Sequence, residues 1–355
     1  MQKSIISLAI LCGLAAPTLQ AASCDSKFTP VSQIQGQGTA SAFADKQVTT
    51  RGIVQAVIYP DAKQKMFLLG SLQDDGNSKT SEAILVKHSA KTTAPKVGQI
   101  IQISGEVIEW RLFEEEKKSA NTESKNNAST MTTLTADLTK FETCGVAKLK
   151  PATTVQLPVE DLAQWEHYEG MLLSFPQTLV VNDSYTLARF GELLLADKRL
   201  MVATEVKKPG KAASDFEQQQ QLSEIIIDDG KQRQNVEPVR FPTGGLSASN
   251  TVRVGDSAKG VSGYLLHTKQ GYRLVVNQDP VFVASNPRPA APAAKAKGEL
   301  RVASPFNVLN FFTGDGTDKA FPTKRGATDE IELVRQQAKM IARIKCYGCR
   351  CDRPA

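Results

Sequence analysis

Between residues 46 and 107 the chain passes through four short segments rich in β-branched and apolar residues, with glycine and aspartate at turns and bends among them. Residues 46–58 (KQVTTRGIVQAVI) partly alternate. Residues 66–73 end at Asp74-Asp75-Gly76, residues 83–88 are mostly apolar, and residues 97–107 carry Gly98 and Gly105 as bends. Such runs fit a pleated, half-buried surface. Short strands with turns at this spacing predict a small closed or partly closed barrel. Residues 114–127, charged and then Ser/Asn-rich, read as a solvated insertion.

A second β-rich region follows, with strands expected at 171–181, 192–196, 224–228, 251–254 and 272–276 and a solvent-facing helix at 214–221. Asp228-Asp229-Gly230 echoes Asp74-Asp75-Gly76 and hints at two related barrels. Residues 286–298 hold three prolines and form an extended linker. Beyond it a strand is expected at 300–309, interrupted by Pro305. Thr328 is placed to cap a helix, with Asp329 and Glu330 at its positive end. Ile331, Val334, Ala338 and Ile341 make an apolar stripe at helical spacing.

The amino terminus reads as a secretory signal over residues 1–21: Lys3, then an apolar run at 5–17 too short to span a bilayer, then small residues before a cleavage point after Ala21. Export to the cell exterior or the periplasm suits the cysteines. Of six, Cys24 and Cys144 stand alone in the mature body and most simply pair, closing a loop of about 120 residues. Cys346, Cys349 and Cys351 crowd the tail without the partnering ligand a zinc site needs. Charge is also segregated. Residues 22–286 hold 29 Lys and Arg against 30 Asp and Glu, so the net charge of +6 belongs to the C-terminal piece. The barrels are therefore not basic platforms for the nucleic-acid backbone on average.

Several motifs together resemble the ExeM/NucH-type bacterial extracellular endonucleases. They are TTRGIVQAV (49–57), LQDDG (72–76), EGMLLSFPQTL (169–179), RFGEL (189–193), IIDDG (226–230), GLSASN (245–250), VASPFNVLNFF (302–312) and RQQAK (335–339). The resemblance covers nearly the whole mature chain. It implies a mainly β chain of two OB-like barrel modules, at 22–145 and 146–285. The linker at 286–298 then leads into a truncated fragment, at 299–355, of a DNase I-like α/β sandwich of the endonuclease/exonuclease/phosphatase class. It further implies hydrolysis of extracellular DNA with a divalent metal, Mg2+ or Mn2+ with Ca2+ as a further candidate. Asn307 matches the family's metal–phosphate asparagine, although Pro305 departs from the family pattern.

The family strand that should follow this helix, and the metal-binding glutamate it leads to, are missing. Removing one base after the Lys345 codon gives codons compatible with Lys-Ala-Met-Asp-Ala-Asp-Val-Ile-Gly, the strand type the family carries there. A frameshift near Lys345 is therefore expected, leaving the catalytic domain incomplete, the metal unbound and the chain inactive. The alternative is a non-catalytic secreted OB-fold module that binds nucleic acid or polysaccharide, with no membrane association once the signal is removed. DNA is the partner that the resemblance implies.

Other residues have plainer readings. His88, His167 and His267 match none of the family's proton-transfer positions and are expected at strand ends or the surface. Trp110, Trp165 and Tyr168 could stack on bases, but packing accounts for them more simply. Asp74-Asp75-Gly76-Asn77 offers clustered oxygens to Ca2+, and a hairpin turn with positive φ at Gly76 explains the same residues.

Overall fold

A long first strand sets the architecture. In the computed structural model, which describes Cys24 and residues 27–112, 130–247, 249–268, 270–287, 307–308, 310–313, 321–323 and 325–346, strand β1 (Gln47–Ile58) serves two partners. Its end pairs antiparallel with β2 (Lys65–Gly70), which turns into β3 (Ala83–His88). Its beginning pairs with β4 (Gln99–Trp110). Gly52 permits the crossover, because a Cβ there would lie 2.5 Å from the Gly70 carbonyl oxygen. β5 (Met131–Ala136) runs parallel to β3 and antiparallel to β4, so the ring β1-β2-β3-β5-β4 closes on itself. That order is the five-stranded Greek key of OB folds. β6 (Glu142–Val146) extends the free edge of β4.

Alternate residues of β2 and β3 (Phe67 and Leu69, Ile84 and Val86) fill the barrel with Val54, Ile101, Ile103, Val107 and Leu134. Helix α1 (Val31–Gln35) adds Val31 and Ile34 to this core. A disulfide joins Cys24 to Cys144 on β6, bracketing the barrel with a closure of 120 residues.

The second sheet contains β7 (Thr153–Thr154), β8 (Leu172–Ser174), β9 (Leu179–Asp183), β10 (Glu192–Ala196) and β11 (Glu224–Asp228). It continues with β12 (Ser257–Lys259), β13 (Ser262–Thr268), β14 (Gly271–Val276) and β15 (Val281–Val283). The single strand expected at 171–181 is broken into β8 and β9 around Pro176, which has no amide to give a ladder. The two pieces keep the double duty of β1: β8 pairs with β13 and β9 with β10. β10–β11 is antiparallel and β11–β14 parallel, so the first barrel's order recurs in a curled sheet.

The strand expected at 251–254 is absent. The short β12 lies just beyond it, between β9 and β15. Three helices decorate the loops of this sheet: α2 (Leu187–Phe190), α3 (Ala203–Val206) and α4 (Lys211–Gln221), the last over the predicted helical stretch. The Asp-Asp-Gly echo proves local rather than topological. Gly76 and Gly230 both have positive φ, and in each motif both aspartates accept from amides two residues on. One motif follows a second strand and the other a third.

Residues 247–251 and 285–355 make a separate compact unit. Its helix α5 (Glu330–Cys346) is capped by Asp329, whose carboxylate accepts from Glu332 N at 2.8 Å. Thr328, the expected cap, instead donates its amide and hydroxyl to the Glu332 carboxylate. The expected stripe lies exposed, Ile331 at 72%, while Leu333 and Ala327 are the buried apolar residues. Residues 300–306 of the expected strand lie outside the described residues, as do the signal, the 114–127 insertion, most of the linker and residues 347–355 of the tail; residues 307–308 are not in a strand. Among the described residues no helix is long and apolar enough to cross a membrane.

Candidate nucleic-acid interface

OB barrels that take oligonucleotides or oligosaccharides use the outer face of their second and third strands and the loops beside it. In the first barrel that face is already occupied. Met66, Leu68 and Leu85, the outward residues of β2 and β3, are fully buried against Tyr264, Leu266 and Val275 of β13 and β14. Leu112 adds a parallel backbone bridge to Thr268. The loop after β1 contributes Tyr59, held at φ 44°, whose hydroxyl donates to Asp228 Oδ2 at 2.9 Å. Asp228 and Glu192 together grip the buried Arg273. Burial pushes the Asp228 carboxyl above its usual range, against the pull of Arg273.

A second strut is Glu169-Gly170. Glu169 is fully buried and its Oε2 accepts from Thr132 N on β5, while Ser81 Oγ donates to its carbonyl at 2.6 Å. Burial first, then the nearby Glu166 and Glu109 carboxylates, raise the Glu169 carboxyl well above the ordinary range. Gly170 has φ 71°, and a Cβ there would come 3.1 Å from Leu68 and 3.3 Å from Ala83.

The equivalent face of the second barrel is different. On β10 and β11 the inward residues Leu193, Leu195, Ile225 and Ile227 are in the core, and outward-facing Leu194 lies directly opposite Ile226. Both are only half-buried. Beside them the β9–β10 loop presents Tyr185, 90% exposed. The loop is built firmly: Tyr185 N donates to Asp183 Oδ1, Leu187 is buried beneath, and Gly191 closes α2 at φ 73°. A Cβ at Gly191 would strike the Asp229 carboxyl at 2.3 Å. Burial raises that carboxyl to about 6.

Arg189 lies 5.0 Å from the Phe190 ring centroid and donates to Gln234 Oε1 at 3.0 Å. Its carbonyl accepts from Asn235 N, in the same loop as the exposed Lys231 and Arg233. The surface thus combines an apolar strip, an exposed ring and a cationic margin.

The residues singled out from sequence are distributed elsewhere. Trp110 and Trp165 are buried and Tyr168 is half-buried, so none is a stacking platform. His88 closes β3 with Nδ1 against Ser89 O and Thr92 Oγ1, and His267 lies in β13, its ring edge-on to Tyr272. His167 is half-buried in the 3-10 turn Leu162–Tyr168. Asn307 lines an open cavity of about 650 Å³ with Asn310, Arg325, Arg335, Lys339 and Arg343. Among the described lining residues the one carboxylate, Glu332, already accepts twice from Thr328. The described lining is thus mainly cationic and, taken alone, offers few of the several oxygen ligands a divalent cation needs. Tyr185 was not visible as a site residue. The available signal was the uninterrupted LLL and III of β10 and β11, which put apolar side chains on both faces of the sheet.

No protein-family model matches the chain, and no curated protein matches it. Among solved structures it is similar to a putative aspartyl-tRNA synthetase from Leishmania major Friedlin, at 15% identity and TM-score 0.22, over 38% of this chain and 24% of that one. It is similar also to aspartyl tRNA synthetase from Entamoeba histolytica, at 18% identity and TM-score 0.23, over 42% and 30%. The match to fission yeast Pot1, solved with ssDNA, has 11% identity and TM-score 0.24 over 69% and 87%. The chain thus spans less than a third of either synthetase. With scores this low, the barrel assignment rests on strand order and register.

Proposed function

We propose that the chain is a non-catalytic OB-fold module that binds single-stranded nucleic acid across β10, β11 and the β9–β10 loop of its second barrel. The observation that carries this is the pairing of Tyr185, 90% exposed, with the half-buried Leu194–Ile226 strip on the face whose counterpart in the first barrel is closed. A base stacked on an exposed ring contributes roughly 1–3 kcal/mol, and every base has a face to stack. Arg189, Lys231 and Arg233 supply the phosphate contacts, few enough that binding should be modest and salt-dependent.

Fluorescence anisotropy with a labelled single-stranded DNA oligonucleotide tests it. Tyr185→Ala should weaken binding by roughly 1–3 kcal/mol. Arg189→Gln should weaken it less and flatten the salt dependence. Equal binding by the wild type and Tyr185→Ala, or preferential capture of a polysaccharide, would overturn the assignment.

The motifs at 302–312 and 335–339 and the cationic cavity around Asn307 favour a second reading, that this module leads into a phosphodiesterase-like segment at 299–355. Asn307 and the described cations of that cavity would then face phosphate. On this reading, plasmid nicking with Mg2+ or Mn2+ should show no cleavage by this chain. Cleavage that EDTA abolishes would overturn the proposed inactivity.

A further inference from the structure

The turn between β2 and β3 carries more oxygen than a turn requires. One carboxylate oxygen from each of Asp74, Asp75 and Glu82 lies within 4.8 Å of the other two. Asp74 and Asp75 are exposed, but Glu82 is only 8% exposed. Its Oε1 accepts from Asp75 N at 2.8 Å, while its Oε2 is buried and meets no donor. A buried carboxylate oxygen with no partner is costly, so its position calls for a counter-charge or a bound group.

A second, independent orphan faces the same place. Gln55 sits where the β1–β2 register slips between Val54 and Ala56, so it is the extra residue of a bulge. Bulges re-aim side chains, and this one sends the Gln55 amide across Gly70. A Cβ at Gly70 would overlap the amide, so the glycine makes room for it. Gln55 Oε1 is buried and also without a donor. Gln55, Asp74 and Glu82 line one small cavity of about 70 Å³, closed by Pro151, Met171 and Tyr264.

We propose that this cavity binds a hard divalent cation of the calcium class through Glu82 Oε2, Gln55 Oε1 and the Asp74 carboxylate, with water completing the shell. Calcium takes carboxylate and amide oxygens in flexible geometry, and a site with so few protein ligands belongs among the weaker, extracellular type. The Asn77 amide and Thr80 hydroxyl bonded to Asp75 hold the turn in the shape that brings the three carboxylates together. Lys150 on the cavity rim is the competing counter-charge.

Isothermal titration of CaCl2 into the EDTA-treated full chain tests the proposal. One site per chain is expected. Asp74→Asn, an exposed change that should not affect folding, should weaken it about tenfold or more, since affinity follows ligand charge. Glu82→Gln should abolish it, with circular dichroism to show that the variant is folded. Lys150→Ala should leave binding equal or tighter. No calcium heat up to millimolar concentration, or unchanged affinity in Asp74→Asn, overturns the proposal. So does a loss of thermal stability in Lys150→Ala with no response to calcium, which would make the lysine the partner of Glu82.

Discussion

The second strands of the two barrels, KMFLLG in β2 and ELLLA in β10, are nearly alike in pattern and meet different surroundings. In β2 the outward Leu68 is sealed beneath the second sheet, while in β10 the outward Leu194 stays half in water. The first barrel has thus given its ligand face to an intramolecular partner and become a foundation. The second is supported from one side by Tyr59, Asp228 and Arg273 and keeps the rest of its face accessible. An OB topology by itself does not say that a barrel binds anything; what lies on the β2–β3 face does.

Three perturbations sharpen or break this contrast. The largest falls on the foundation. Replacing both Cys24 and Cys144 by serine releases the 120-residue closure, and the loop-entropy relation gives a loss of roughly 4–5 kcal/mol in urea unfolding. If the second barrel depends on the first, both should melt together in that variant. The second compares like with like. Leu68→Ala should cost about 2–5 kcal/mol as a cavity in a closed interface. Leu194→Ala should cost about 1 kcal/mol or less, since its side chain is already partly hydrated. Equal costs would show that the two faces are equally buried and remove the basis for the binding surface.

The smallest concerns pH. Glu169 is buried with a raised carboxyl, so it keeps its proton in the folded chain where the unfolded chain would lose it. Its contribution to stability is therefore fully present in acid. It is lost as pH climbs above the ordinary glutamate range toward the raised value. Thermal melts of the wild type should fall between acid and neutral pH, and Glu169→Gln should flatten that slope.

Much of the β framework was legible because it is written locally. Residues 83–88, 192–196 and 224–228 coincide with β3, β10 and β11, since short, strongly apolar runs bounded by polar turn residues leave little choice. β5, β6 and β13 carried weaker signals. β13 holds Gly263, His267 and Thr268, and its pairing is fixed by neighbours far along the chain. A Cβ at Gly263 would sit 2.4 Å from Val275 O, a requirement of close strand approach that no local pattern reveals. Proline's effect on the 171–181 strand was foreseeable from Pro176. The helix cap was misassigned because Thr328 and Asp329 are both good caps, and only geometry chooses between them. The Leu194–Ile226 surface stayed hidden for a similar reason: the sequence marks both strand pairs as apolar on two sides and does not say which is covered.

The shared layer formed by Met66, Leu68, Leu85, Tyr264, Leu266 and Val275 has a practical corollary for anyone dissecting the gene. A cut between the two sheets, at the stretch around residues 147–152, would look innocuous on a strand diagram. Each half would then carry a freshly bared greasy flank, and the fragments should aggregate or find each other again when mixed. The smallest piece worth expressing is the pair.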